Sequence, residues 1–262
     1  MSLEEQLESR LLNGVQVVVT VDNQFGDGGK GKVTDTLSSW ADVNASNPGG
    51  PNAGHTTVVN GRKSVLHLLP SGISRDSEGK ISLLGKGKVI NVKGLVDEID
   101  QVHASGGSTD NLMVSSDAHV IMPYHIERDK SNSLANGGIG STGTGVGPTY
   151  ADRTARKGIR IRDLLDTDVL AMQLRKAKLR YAEQDIDVDQ IISELKPLID
   201  RLRHYVRDTD KEVAGFLRQG KRISIEGTQG LGLSLVHGTY PYVTSTDCSV
   251  NGTIEGLGLT RD

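Results

Sequence analysis

The segment QFGDGGKGKV, Gln24 to Val33, sets Gly26, Gly31 and Lys32 at the G-x-x-x-x-G-K spacing of a phosphate loop. In such a loop main-chain N–H groups wrap phosphate oxygens and lysine offsets their charge. Here Lys30 supplies a second ammonium, inside the loop. The next position should be Ser or Thr to carry magnesium, but Val33 stands there. The nearest hard oxygen donor is Asp27, and magnesium needs only one or two carboxylates beside phosphate and water oxygens. The same carboxylate can act as a general base.

Three more glycine-rich clusters carry chemistry-bearing side chains. GGPNAGHTTVVNG, Gly49 to Gly61, holds Asn52, Gly54, His55 and Thr56. Its imidazole is either a structural residue or a proton donor to a developing oxyanion. NGGIGSTGTGVGPTYADRTARKGIR, Asn136 to Arg160, places Ser141 and Thr142 among glycines ahead of Arg153, Arg156, Lys157 and Arg160. That is either a solvated basic face or a site for a small phosphate ester, which wants hydroxyls, N–H groups and a bidentate guanidinium. EGTQGLGLSLVHGTYPYVTSTD, Glu226 to Asp247, brings Gln229, His237, Thr239, Thr244 and Ser245 together. The Gln229 amide can pair with a heterocycle edge, and the apolar LGLSL reads as pocket wall or core. Asp22, Asn23 and His125 are read as structural.

Elements to position these clusters are legible on either side of them. VQVVVTV, residues 15–21, is a β-branched run without helical period and reads as a buried parallel strand. A helix over Lys30–Trp40 follows, so the order strand, glycine loop, helix aims a helix N-terminus at a phosphate. TTVVN and KSVLHLL read as a hairpin joined through Gly61 and Arg62. Leu95–Ala104 reads as a helix, and LMVSSDAHVIMP as strand around a turn. From Asp163 to Gly220 glycines are few and apolar residues recur at i, i+3, i+4, which predicts two or three amphipathic helices that cover the sheet or form a subdomain. KRISIEGTQG returns to strand and puts Glu226 and Gln229 at its C-terminal end, where open α/β sheets hold ligands. The expected fold is α/β with a largely parallel central sheet: one domain over 1–262 with a helical insertion at about 163–220.

The totals bound the partners. With 262 residues and a net charge of −3, no global positive field draws the chain to nucleic acid or an anionic membrane. Aromatics are only 3% of residues, too few to interleave a basic strand-tracking groove. One cysteine, Cys248, excludes an internal disulfide and suits a reducing compartment. The start MSLEEQLESRLLNG is acidic and polar, unlike a secretory leader, and no apolar run nears the roughly 20 residues that span a bilayer. A cytoplasmic location is expected.

Taken in order, QFGDGGKGK, NAGHT, VLHLLPSGI, GSTGTGVGPTYADRTARKG and EGTQG with HGTYPYVTS resemble the adenylosuccinate synthetase family, with wording near its compact archaeal and phage-related branch. The resemblance implies a ligase: IMP is phosphorylated on its 6-oxygen by GTP with Mg2+, and L-aspartate displaces that phosphate. It casts Asp27 as base and metal ligand, the Gly54 carbonyl as a second metal ligand, and His55 as the acid at the 6-oxygen. Lys30, with Gly26, Gly28, Gly29, Gly31, Lys32 and Thr56, falls at the triphosphate. Asn52, Ser141, Thr142, Gln229 and Thr244 fall at the substrate nucleotide, and Arg156 matches an arginine reaching a neighbouring subunit, hence a homodimer.

Three departures qualify the match. Gly28 replaces a glutamate, Pro51 replaces a polar residue, and the family continues beyond GLGLTRD into a region that binds aspartate and the triphosphate's base. The resemblance therefore also admits a phage-type synthase acting on dGMP with ATP, although the retained Asp27 favours IMP. It also admits a truncated, non-catalytic nucleotide-binding remnant. A generic P-loop GTPase or kinase lacks support, since no N-K-x-D signature appears.

Overall fold

A computed structural model describes residues 11–59, 62–131 and 139–260. Its centre is a six-stranded sheet in which every neighbouring pair runs parallel. The strands are β1 (Val17–Thr20), β2 (Val43–Ser46), β5 (Ile81–Leu84), β7 (Leu112–Ser115), β9 (Val206–Arg207) and β10 (Ile223–Glu226), ordered β1-β10-β2-β5-β7-β9. Two small sheets flank it: β3 (His55–Val59) with β4 (Arg62–Leu66), antiparallel, and β6 (Val89–Ile90) with β8 (His119–Val120), parallel. The turn expected at Gly61 falls partly outside the described residues.

Alternation along the strands divides the core between two faces. Val43, Ala45, Leu83, Ile223 and Ile225 meet Val213, Phe216, Ile254 and Leu257 on one side. Those partners come from α8 (Thr209–Arg218), α9 (Val250–Glu255) and the turn after it. Leu84, Leu112 and Val114 point the other way, into an apolar cluster shared with α2 (Val92–Ala104), α6 (Thr167–Arg180) and α7 (Val188–Leu202). The helices read from the 163–220 stretch thus cover the sheet. Within that stretch the chain also dips back to add β9 at the edge, a two-residue strand too short to show a period of its own.

Helix starts follow their capping residues. Asn91, Asp166, Asp187, Asp208 and Ser249 each accept a main-chain N–H of the helix that they precede, worth about 1 kcal/mol apiece. The helix after the phosphate loop, α1 (Lys30–Trp40), differs: its N-cap is Gly29 at φ 85°, with no side-chain cap. Register then gathers the site, because Thr20, Glu226, Ser46 and Leu84 lie side by side at the C-terminal ends of their strands.

Candidate active site

The loop from β1 to α1 turns through left-handed backbone at Gly26 (φ 93°), Asp27 (φ 56°) and Gly29 (φ 85°). Only Asp27 pays for this conformation with a Cβ, a strain of about 1 kcal/mol that marks functional turns. Leaving α1 without a side-chain cap keeps its N-terminus open to an anion. Lys30 Nζ donates to the Gln229 carbonyl and stands 4.0 Å from Asp22 Oδ2.

Two adjoining cavities open here. The first, about 480 Å³, is walled by the phosphate loop (Gly26, Asp27, Gly29 to Lys32), by Asn52, Gly54 and Thr56, and by the turn after β10. The second, about 850 Å³, is walled by Ser141, Thr142, Thr244 and Ser245 with the start of α4 (Val146–Thr154). Asn52, Gln229 and Leu233 line both, so the two are parts of one crevice.

Gln229 occupies the junction with φ 42°, and neither its amide oxygen nor its amide nitrogen has a hydrogen-bond partner; the Asn52 amide oxygen is likewise unpaired. Shielded polar atoms without partners are uncommon in folded proteins and point to a missing ligand or water. A donor and an acceptor on one planar amide suit a heterocycle edge.

Most of the residues singled out from the sequence converge on this crevice. Gly28 does not: its N–H donates away from the cavity to Asp22 Oδ2 at 2.8 Å, and it is absent from the cavity wall. Arg156, exposed at φ 61° after α4, lines neither cavity of its own chain. His55 opens β3, but its side chain lies outside what the structure describes. His237 approaches Asp247 at 4.0 Å, and the Thr239 hydroxyl bonds the Gly232 and Tyr242 carbonyls, so both serve their own turn. His125 is fully buried, with Nδ1 accepting the Met122 N–H and Nε2 facing Asp152 at 3.3 Å. Burial holds its pKa below the ordinary value, as befits a neutral core histidine.

Sequence reasoning missed three contributors, Lys88, His67 and Asp129, and placed a fourth, Glu226, only at the ligand end of its strand. Lys88 is buried in the floor of the first cavity, where Nζ donates to Ser46 Oγ at 2.9 Å. Burial pushes its pKa down to about 8, against the pull of Glu226 and Glu98. Glu226 accepts both the N–H and the hydroxyl of Ser71 at 3.0 Å. His67 Nδ1 contacts the Ala53 carbonyl at 2.8 Å and so supports the Gly54 turn. Asp129, on α3 (Pro123–Ser131), accepts Ser141 Oγ at 2.6 Å and the Gly145 N–H at 2.8 Å, shaping the hydroxyl loop. The signal available for Lys88 was a cation inside the apolar stretch LLGKGKVI.

No group of three or more His, Cys, Asp or Glu side chains suited to a metal occurs among the described residues. Asp27 and Gly54 do line one cavity, and a carboxylate with a main-chain carbonyl is a sparse oxygen set of the kind magnesium accepts when phosphate and water complete its shell.

A parallel sheet whose strand C-termini carry a glycine loop, an open helix N-terminus and a two-part crevice defines an α/β protein of the phosphate-loop type. The model of the adenylosuccinate synthetase family matches residues 18–262, and the chain belongs to that family. Adenylosuccinate synthetases of Streptococcus gordonii and Streptococcus sanguinis are 46% and 45% identical to it over 252 residues. Those matches cover 92% of this chain and 58% of each relative. The fully ligated adenylosuccinate synthetase of Plasmodium falciparum superposes with a TM-score of 0.85 at 35% identity, covering 94% of this chain and 59% of that one. A cyanophage S-2L succinoaminodeoxyadenylate synthetase, bound to dGMP and dATP, gives 0.62 at 28% identity, with 94% and 60% covered. The chain therefore spans somewhat under two thirds of the length of these relatives.

Proposed function

We propose that this chain carries out the nucleotide chemistry of an adenylosuccinate synthetase, phosphorylating the 6-oxygen of IMP with GTP and then joining L-aspartate at the same carbon. The observation that carries this reading is the junction: Asn52 and Gln229 face both cavities with unpaired amide atoms. A triphosphate on the glycine loop and a purine monophosphate among Ser141, Thr142 and Thr244 would meet there.

In this reading Asp27 takes the proton from N1 of the purine, and the electron pair left behind moves onto the 6-oxygen. That oxygen attacks the γ-phosphorus and the bond to the β-phosphate oxygen breaks, releasing GDP. Main-chain N–H groups at Gly29 and Gly31, with Lys32 and Thr56, hold the triphosphate against the turn at Gly26, and Lys30 offsets charge at the group in transfer. His55 donates a hydrogen bond to the 6-oxygen or to the phosphate oxygens and leaves the nucleophile unprotonated. The aspartate amino nitrogen then attacks C6 and gives up one proton, the C–O bond breaks, and phosphate leaves with that proton. Magnesium, when bound, neutralises charge on the phosphate oxygens, and Asp27 with the Gly54 carbonyl would hold it. Arg156, outside its own crevice, is assigned to the crevice of a second copy, which makes a homodimer part of the proposal. No helix among the described residues is long and apolar enough to cross a membrane; a cytoplasmic setting completes the reading.

The likeness to the cyanophage enzyme supports a second reading, dGMP with ATP, at lower similarity. Chromatography after incubation with aspartate, Mg2+ and either IMP with GTP or dGMP with ATP separates the two by product. Asp27→Asn is expected to lower the turnover of the active pair by about 10²- to 10⁴-fold, the range of a general base, while monophosphate binding persists. Nucleotide binding without product from either pair would make the chain a binding protein and sink the ligase reading.

A further inference from the structure

Asp22 follows β1 directly and is buried behind the phosphate loop, outside the wall of either cavity. Its Oδ1 accepts the Gln24 N–H at 2.7 Å and its Oδ2 accepts the Gly28 N–H at 2.8 Å, with Lys30 Nζ at 4.0 Å. Burial alone would raise its pKa, but these N–H groups and the ammonium outweigh it and hold the carboxyl below its ordinary value. The group is thus a fixed anion on the far side of a loop whose near side is shaped for phosphate.

Gly28 supplies the second observation. Unlike Gly26 and Gly29 it does not adopt a left-handed φ, so backbone freedom does not explain it. Space does: a Cβ there would lie 2.2 Å from Asp22 Oδ2 and 2.9 Å from Cγ. In this loop conformation a side chain at 28 and the carboxylate at 22 exclude one another.

We infer that Asp22 is the positioning residue of the phosphate loop, bracing it from behind and fixing the Lys30 ammonium, and that Gly28 is glycine in order to admit that carboxylate. The inference rests on the reading above where GTP binding or turnover is measured, and stands apart from it where urea unfolding is measured. Four proteins test it: wild type, Asp22→Gly, Gly28→Ala and the double variant, each assayed by urea unfolding and by GTP–Mg2+ calorimetry.

In the wild-type background Gly28→Ala is expected to weaken GTP binding by roughly 30-fold, whereas in the Asp22→Gly background the same change costs about threefold or less, a coupling of neighbours that share space. Urea midpoints should show the same inequality, and that arm stands even if wild type binds no GTP, an outcome that would count against the functional reading alone. Should Gly28→Ala prevent folding with Asp22 present and permit it without, the pair is confirmed; equal penalties in both backgrounds, or folding failure in both, overturn it. Asp22→Asn turns one of the two oxygens into a donor facing the Gln24 or Gly28 N–H and removes the charge facing Lys30. It should weaken GTP binding about tenfold and lower kcat at least about tenfold as well, and an unchanged kcat would remove the Lys30 part of the inference.

Discussion

Replacing Lys88 by methionine keeps an unbranched side chain of similar reach while deleting an ammonium sealed in the floor of the first cavity, 2.9 Å from Ser46 Oγ. Burial lowers this group from 10.5 to about 8. Below pH 8 the folded protein carries the buried charge at a cost in free energy. Between pH 8 and 10.5 the folded state releases the proton and the unfolded state keeps it, so the unfolded chain binds more protons and stability rises with pH. At ~1.4 kcal/mol per pH unit the whole gap is worth about 3 kcal/mol, of which roughly 2 to 3 falls between pH 7 and pH 10. Burial also pushes Tyr150 and Cys248 up to about 12, and those groups act the other way, lowering stability once their unfolded-state values are passed.

The difference between wild type and Lys88→Met cancels those opposing contributions. Urea unfolding followed by circular dichroism at pH 7, 8, 9 and 10 is expected to show that difference moving in favour of wild type by about 2 to 3 kcal/mol. A difference that stays level across the range refutes the idea of a charge held under strain there. The same lysine links ligand to proton: at pH 9 a phosphate entering the cavity restores its charge, so GTP binding by wild type takes up a proton and binding by Lys88→Met does not. Calorimetry in two buffers of unlike ionisation enthalpy reads this directly.

Glu98 accepts the N–H groups of His67, Leu68 and Leu69 at 2.8 to 3.1 Å, and Glu98→Gln turns one of its oxygens into a donor facing them. A loss of about 2 to 4 kcal/mol in urea unfolding is expected, and no loss would show that these bonds are replaceable. Gly230→Ala puts a Cβ 2.5 Å from both the Gln24 carbonyl oxygen and the Gly26 nitrogen, at an ordinary extended φ of −155°. Pressure then falls on the phosphate loop alone, so GTP affinity should drop at least about tenfold while the helical circular dichroism signal holds. Asp129→Ala frees Ser141 and the Gly145 N–H, and should raise KM for IMP about tenfold without moving KM for GTP. Parallel rises in both constants would contradict the division of the crevice.

The phosphate loop was legible because independent local signals agreed over Val15–Trp40: a β-branched run, a glycine spacing, and a helix starting at Lys30 as expected. The fully buried β2, sequence VNAS, was not legible, since its alternate residues Asn44 and Ser46 are polar and no apolar run announces it. Two short helices on either side of the hydroxyl loop were hidden: α3 is nine mostly polar residues begun by Pro123, and α4 carries Gly147 and Pro148 in its first turn. Their ends are set by Gly145 at φ 81° and by the long-range grip of Asp129 rather than by a periodic stripe. Glycine motifs therefore located the crevice, but Lys88 acquires its surroundings, Ser46 and Glu226, only when parallel strands far apart in the chain come into register, which no local window records.

Gln229 touches everything of consequence at once: its main-chain oxygen holds the Lys30 ammonium while its side chain looks into both halves of the crevice. A lysine tethered in this way is parked. On the proposed reading, a triphosphate arriving alone would meet a cation already engaged, and a second guest that tugs on the same residue would alter the hold on that tether. Such wiring would favour reaction only with both guests aboard.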